Sequence, residues 1–212
     1  EWTIEMRSRY DREWVERILT VHSGIEDEIS ERLGEFGEIW KKRDGKSSLP
    51  ELHRCIRSPQ SKAKVCWGVV EDLECENLIL NGDYDQVLEA VGTVRFKYRK
   101  ASYILEAREK FMDPEGSKIV GILEGFDDDF ERRDWLVENV KGYGYKEASH
   151  FLRNIGLGHD QAILDRHILK NLERVKAIRE IPRSMTRRRY LEIEGKMADF
   201  SKVVGIPLPH LD

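Results

Sequence analysis

Val140-Lys-Gly-Tyr-Gly-Tyr-Lys-Glu-Ala-Ser-His-Phe-Leu-Arg-Asn-Ile155, followed by Ala162-Ile-Leu-Asp-Arg-His-Ile168, decides how this chain is read. Leu136, Val137 and Val140 precede a Gly142-Tyr143-Gly144 turn, and Ala148, Phe151, Leu152 and Ile155 follow it at helical spacing. Residues 127–155 therefore read as helix, turn, helix, with the second helix starting near Tyr145. Glycines allow such a turn a positive φ or a close approach to another backbone. A helix that opens there presents unpaired N–H groups and the positive end of its dipole. Phosphate binds such ends without reading sequence. Lys146 lies just after the turn, and Asp165 opens the next helical pattern. An amine and a carboxylate facing one nucleic-acid strand suit nucleophilic attack on a sugar carbon.

Singly, each feature has an ordinary explanation. A Gly-x-Gly is a tight turn, a lysine beside it a solvated side chain, and an aspartate before a helix an N-cap. In this combination the catalytic reading is preferred, and Asp165 can do both jobs.

Working outward, helical periodicity covers 25–41, 61–75, 101–111, 127–140, 146–155, 165–179 and 184–200. Gly24, Gly45, Pro50, Pro59, Gly82, Gly92, Gly125, Gly156 and Pro182 fall between these runs. Asp83, Asp165 and Ser184 are N-cap candidates. Val94, Phe96 and Tyr98 alternate with Arg95, Lys97 and Arg99, and read as an extended entry into the helix at 101. The expected fold class is all-α.

The chain has 212 residues, enough for one compact domain or two small ones; 40% are hydrophobic and 36% charged, with a net charge of −4. Charge above the usual quarter or so, with few Asn and Gln, leans towards a thermophilic source. The chain is no polycation, yet local patches decide nucleic-acid binding. One patch is Arg95, Lys97, Arg99, Lys100, Arg108 and Lys110; another is Arg183, Arg187, Arg188 and Arg189; Asp127, Asp128 and Asp129 form an acidic run. Cys55, Cys66 and Cys75 fit neither a disulfide framework nor a zinc pattern and read as reduced thiols. With no signal peptide and no membrane-length apolar run, the expected location is cytoplasmic. His150, His159 and His167 read as structural, with no metal at the catalytic centre.

The segment 139–170 resembles the helix–hairpin–helix DNA glycosylases, and specifically the 8-oxoguanine DNA glycosylase/AP lyases of archaea and some thermophilic bacteria, the second of three such families. Cys55-Ile-Arg-Ser-Pro-Gln-Ser-Lys-Ala63 and Tyr98-Arg-Lys-Ala-Ser-Tyr-Ile104 add weaker matches, so the resemblance covers most of 50–212. It implies two helical subdomains, 50–155 ending in the helix–hairpin–helix and 1–49 plus 156–212 built from both termini, with the active-site cleft between them. It implies Lys146 as the amine that attacks C1′ and displaces the damaged base, leaving a Schiff base that permits β-elimination. Only the neutral amine is a nucleophile. Asp165 matches the aspartate that stabilises charge on the sugar or moves protons to and from the lysine.

Further roles follow from the same resemblance. Lys141, Gly142, Gly144 and Tyr145 would contact DNA, and Gln60 would fill the gap left by an extruded base, whose removal from the stack costs a few kcal/mol. Asp212, Pro209 and Trp67 are the candidates for base recognition, with Phe96, Tyr98 and Trp135 as further aromatics. Family members usually continue another turn or two of helix past this aspartate, with a tryptophan and a terminal lysine; this sequence ends at Asp212, and the departure bears on base recognition. The hairpin carbonyls of Lys141, Tyr143 and Tyr145 would seat a monovalent cation. No cysteine lies beyond Cys75, so an iron–sulfur cluster near the C-terminus is not expected. The implied partner is double-stranded DNA with an oxidised base, the implied state a nucleoid-associated prokaryotic monomer. The alternatives are a glycosylase for another oxidised base, or a non-catalytic helix–hairpin–helix DNA-binding protein.

Overall fold

A computed structural model describes residues 9–42, 51, 52, 55, 81–92, 94–113 and 116–212. Among them the helices are α1 (Arg12–Lys42), α2 (Tyr84–Ala90), α3 (Lys97–Phe111), α4 (Ile119–Glu124), α5 (Asp129–Asn139), α6 (Tyr145–Asn154), α7 (Arg166–Arg174) and α8 (Arg187–Val204), followed by a 3-10 turn, Leu208–His210. The fold is all-α. Its only β pairing among the described residues is antiparallel, Met112–Asp113 with Gly116–Ser117, too short to make a layer. The chain divides into two compact units, Phe36–Leu157 and Glu1–Glu35 with Gly158–Asp212.

In the unit Phe36–Leu157, the apolar stripes of α3, α5 and α6 meet in one core that includes Ile104, Phe111, Leu136, Phe151 and Leu152, each almost or fully inaccessible. Asp83 caps α2 with a complete capping box: its side chain accepts from the Gln86 N–H, and the Gln86 side chain accepts from the Asp83 N–H, both at 2.9 Å. The acidic run before α5 also has structural work. Asp128 caps the helix by accepting from the Phe130 N–H at 2.7 Å, and Asp129 pairs with Arg132 at 2.6 Å. Arg132 in turn donates to the carbonyls of Leu123 and Phe126.

In the other unit, Tyr10 packs edge-on against Phe200 with centroids 5.1 Å apart, beside Val15, Val175 and Val204. Helix α7 ends at Arg174, five residues short of the 165–179 expected from periodicity. Lys176 adopts a left-handed φ of 63°, and the N–H groups of Lys176 and Ala177 donate back to Glu173 and Leu172. This is a Schellman ending with lysine in the usual glycine position. Val175 and Ile178 remain buried, so their helical spacing reflects packing rather than helix.

Other boundaries also moved. Helix α1 begins at Arg12 and runs through Gly24, where a Cβ would meet nothing within 4 Å. Helix α3 begins at Lys97, so the alternation at 94–99 is a turn with Phe96 left-handed (φ 62°), not an extended entry. Thr186 caps α8, not Ser184, which instead accepts from Arg189.

Candidate functional site

The hairpin is the join between α5 and α6. Gly142 has φ +88°, and a Cβ there would stand 2.8 Å from the Tyr103 ring of α3, so both backbone and packing require glycine. Gly144 does not share that requirement: its φ of −106° is open to any residue. Its value is that it brings no side-chain oxygen to cap the first turn of α6. Ala148 is fully buried where the two helices meet.

Tyr143 turns inward rather than towards solvent. Its ring packs edge-on against Phe151, and its phenol donates to the Leu52 carbonyl at 2.9 Å. Burial, first of all, pushes this phenol well above its ordinary value, and the nearby Cys55 and Glu51 add to the shift. Asn154 donates to Glu51 at 2.7 Å, a second tie between α6 and that segment. Beneath the hairpin lies Arg133, only 1% exposed. Its guanidinium stacks over Phe130 and Tyr145, each at 5.2 Å, and donates to Ser149 at 3.1 Å. A buried cation needs such partners. The Tyr145 phenol donates to Asp134 at 2.7 Å, so this side chain locks α6 onto α5.

Lys146 is the second residue of α6, directly after the turn, with about a quarter of its side chain exposed. Its Nζ lies 4.0 Å from Glu147 Oε1. Glu147 reaches back with its other oxygen to accept from the Gly144 N–H at 3.1 Å. Lys141 is exposed and pairs with Glu106 at 2.8 Å, and that pairing raises the lysine above its ordinary value. Among the described residues, no group donates to the carbonyl of Lys141 or Tyr143. Two oxygens of the carbonyl set expected to seat a cation are thus uncommitted.

Asp165 is the N-cap of α7. Its Oδ1 accepts from the N–H groups of His167 and Ile168 at 2.7 and 2.8 Å. Among the described residues Oδ2 has no partner, so capping leaves one carboxylate oxygen for chemistry. The non-helical run leading to Asp165 is fixed by side chains that sequence reading did not single out. Tyr190 of α8 donates to the Ala162 carbonyl at 2.6 Å and accepts from the Leu164 N–H at 3.3 Å. Buried Glu194 accepts from the Ala162 N–H at 2.8 Å. Asp212 accepts from the Ile163 N–H at 2.8 Å, which ties the 3-10 turn carrying Pro209 to this same segment. The helical spacing of Tyr190 and Glu194 on α8 was legible, but not what they would face.

Lys146 belongs to the unit Phe36–Leu157 and Asp165 to the other. Gln60 and Trp67 lie outside the described residues. Trp135 packs against Phe111 and Phe126, whereas Phe96 and Tyr98 are half exposed or more. The first basic patch is not one solvated face. Lys100 is buried, Arg108 donates to the Gly82 carbonyl, and Lys110 donates to Asn139. Arg183, Arg187, Arg188 and Arg189 are exposed as expected. Arg183 and Arg189 share the lining of a polar groove with Arg9 and Arg179.

An all-α fold in which a tight glycine turn joins α5 to α6, with a lysine in the first turn of α6, has the form of a helix–hairpin–helix protein. Family comparison agrees: the family described as Ogg-HhH, 8-oxoguanine DNA glycosylase, matches residues 29–206. An 8-oxoguanine DNA glycosylase/AP lyase of Fusobacterium nucleatum is 41% identical over 200 residues, covering 94% of this chain and 92% of its own. The Methanocaldococcus jannaschii protein of that name is 38% identical over 192 residues, covering 90% and 88%. Among solved structures, the M. jannaschii glycosylase/lyase in complex with a 15mer DNA containing 8-oxoguanine superposes with a TM-score of 0.83 at 34% identity, covering 93% of this chain and 92% of that one. The Thermotoga maritima 8-oxoguanine DNA glycosylase gives a TM-score of 0.82 at 26% identity, covering 94% and 92%. The chain belongs to the Ogg-HhH family of 8-oxoguanine DNA glycosylases.

Among the described residues no helix is long and apolar enough to cross a membrane.

Proposed function

We propose that this chain is a bifunctional 8-oxoguanine DNA glycosylase/AP lyase, and that Lys146 is its nucleophile. One observation carries the assignment of the residue: Lys146 stands in the first turn of α6, immediately after a hairpin whose Gly144 leaves that turn without a side-chain cap. The hairpin amides and Lys141 hold a DNA phosphate, positioning the strand without reading it. The damaged nucleotide leaves the stack, and Gln60 fills the gap. The neutral Nζ attacks C1′, the glycosidic bond breaks, and the base departs with a proton. Ring opening gives a Schiff base between Nζ and C1′. Loss of a C2′ proton then expels the 3′ phosphate, and hydrolysis frees the lysine.

Asp165 serves through Oδ2, stabilising positive charge on the sugar or relaying protons, while Oδ1 stays on the helix cap. Asp212, Pro209 and Trp67 border the base. The uncommitted carbonyls of Lys141 and Tyr143 would hold a monovalent cation beside the phosphate. The protein acts as a monomer on chromosomal DNA in the cytoplasm of a prokaryote, with neither an iron–sulfur cluster nor a catalytic metal.

A panel of duplexes with single lesions tests the substrate. Cleavage of the 8-oxoguanine strand should exceed cleavage of strands with oxidised pyrimidines by at least about tenfold, the effect of ~1.4 kcal/mol in the transition state. Preference for an oxidised pyrimidine would reassign the substrate, and binding without cleavage of any lesion would make the protein a DNA-binding module.

A further inference from the structure

His22 and His210 meet ring to ring in the unit that contains both termini. His22 Nε2 lies 3.0 Å from His210 Nδ1, and the ring centroids are 5.3 Å apart. Glu26 stands one helical turn after His22 on α1, and one ligand atom from each of the three side chains lies within 4.8 Å of the others. Both imidazoles are half-buried, while Glu26 is exposed. The rings also stand on the wall of a largely apolar cavity, beside Val21, Ile25 and Leu211.

We infer that His22, Glu26 and His210 form a binding site for a divalent transition-metal ion of the Zn2+ class. Two nitrogens bound to tetrahedral zinc, each at about 2.0–2.1 Å, stand roughly 3.3 Å apart. The imidazole nitrogens are therefore separated by nearly the edge of that tetrahedron before any ion enters. To hold the ion, the rings must tilt from their direct N···N contact until both lone pairs aim at it, and the solvent-exposed glutamate must swing inward by changing rotamer. Two imidazoles and one carboxylate suit zinc and its neighbours, and not magnesium or calcium, which take oxygen ligands. An apolar wall flanks the ligands on one side. The fourth position is left to water or another ligand. Bound there, the ion ties α1 to the 3-10 turn that leads into Asp212. Binding is independent of the glycosylase reading, because it is measured on the protein without DNA.

The test uses the full chain, freed of metal by chelation, titrated with Zn2+ alone. Calorimetry should show one saturable site with a dissociation constant on the order of micromolar or tighter. Affinity should fall at least about thirtyfold in His22→Asn and in His210→Asn, about tenfold in Glu26→Gln, and not at all in His167→Asn. In the wild-type protein, Zn2+ should shift the NMR signals of both the His22 and His210 rings, a readout that needs no variant to fold. Absence of saturable binding below about 1 mM overturns the proposal, leaving the pair as a plain N–H···N hydrogen bond. Binding that leaves both ring signals unmoved, or that persists unchanged in folded His22→Asn, places the ion elsewhere and overturns it equally.

Discussion

Replacing Asp165 by asparagine and by alanine separates the two jobs assigned to this residue. The cap rests on Oδ1, which accepts from two backbone N–H groups at 2.7 and 2.8 Å. Asparagine keeps an oxygen at that position, and Asn and Asp are equivalent N-caps. Asp165→Asn therefore forfeits only the charge at the positive end of α7, about 0.3–1 kcal/mol. Asp165→Ala loses both accepted bonds and should cost about 0.5–2 kcal/mol. In a chain of this size each kcal/mol shifts the melting temperature by about 2–4 °C. Catalysis should respond in another order. Both variants lack the carboxylate, so both should slow single-turnover base release by about 10²–10⁴-fold, or roughly 3–5 kcal/mol of barrier. The assays are single-turnover cleavage of an 8-oxoguanine duplex and urea denaturation of the same preparations. If Asp165→Asn releases the base within tenfold of wild type, Asp165 is a cap and nothing more. If Asp165→Asn is destabilised as far as Asp165→Ala, the amide has not kept the cap and the separation fails.

Two other perturbations probe the hairpin. Gly142→Ala forces a Cβ to 2.8 Å from the Tyr103 ring at a φ of +88°; the left-handed conformation alone costs about 1–2 kcal/mol, so denaturation should show at least that loss and gel shifts should show weaker DNA binding, whereas an unchanged protein would mean that the turn is not held in this form. Tyr143→Phe removes the hydrogen bond to the Leu52 carbonyl, a loss of about 1–3 kcal/mol where a buried group is left unpaired. The pH dependence has a definite sign. Burial raises the folded-state value of the Tyr143 phenol above its ordinary 10.0, so its contribution is complete below about pH 10 and is lost above it, at roughly 1.4 kcal/mol per pH unit, until the folded form also ionises. Urea denaturation between pH 8 and 11 should therefore show the gap between wild type and Tyr143→Phe narrowing above pH 10; a gap that widens there would contradict the buried phenol.

The hairpin was readable because its signals are local. Glycines, helical spacing and a capping carboxylate act within a few residues, and Asp83 and Asp165 cap as expected. Misreadings arose where tertiary packing overrode local cues. Gly24 reads as a break but costs only modestly inside a long helix, and α1 runs through it. Lys176 ends α7 in a conformation usually left to glycine, held by the Asp11 carboxylate 3.0 Å from its Nζ and by two returning N–H groups. Lys100, read as part of a basic patch, is buried in the fold. The same limit applies to the site. Lys146 and Asp165 stand out beside a turn and a cap, whereas Tyr190, Glu194 and Asp212 hold the approach to Asp165 through contacts between distant segments. His22 and His210, far apart in sequence, could be paired only by the fold.

The central claim is that the Lys146 amine bonds covalently to the sugar. Borohydride reduction of the protein turning over a duplex with a single 8-oxoguanine measures it directly. Wild-type protein should yield an irreversible protein–DNA adduct whose peptide map places the sugar on Lys146, and Lys146→Gln, folded and still able to bind the duplex, should yield none. An adduct that forms undiminished in Lys146→Gln, or that maps to another residue, contradicts the account.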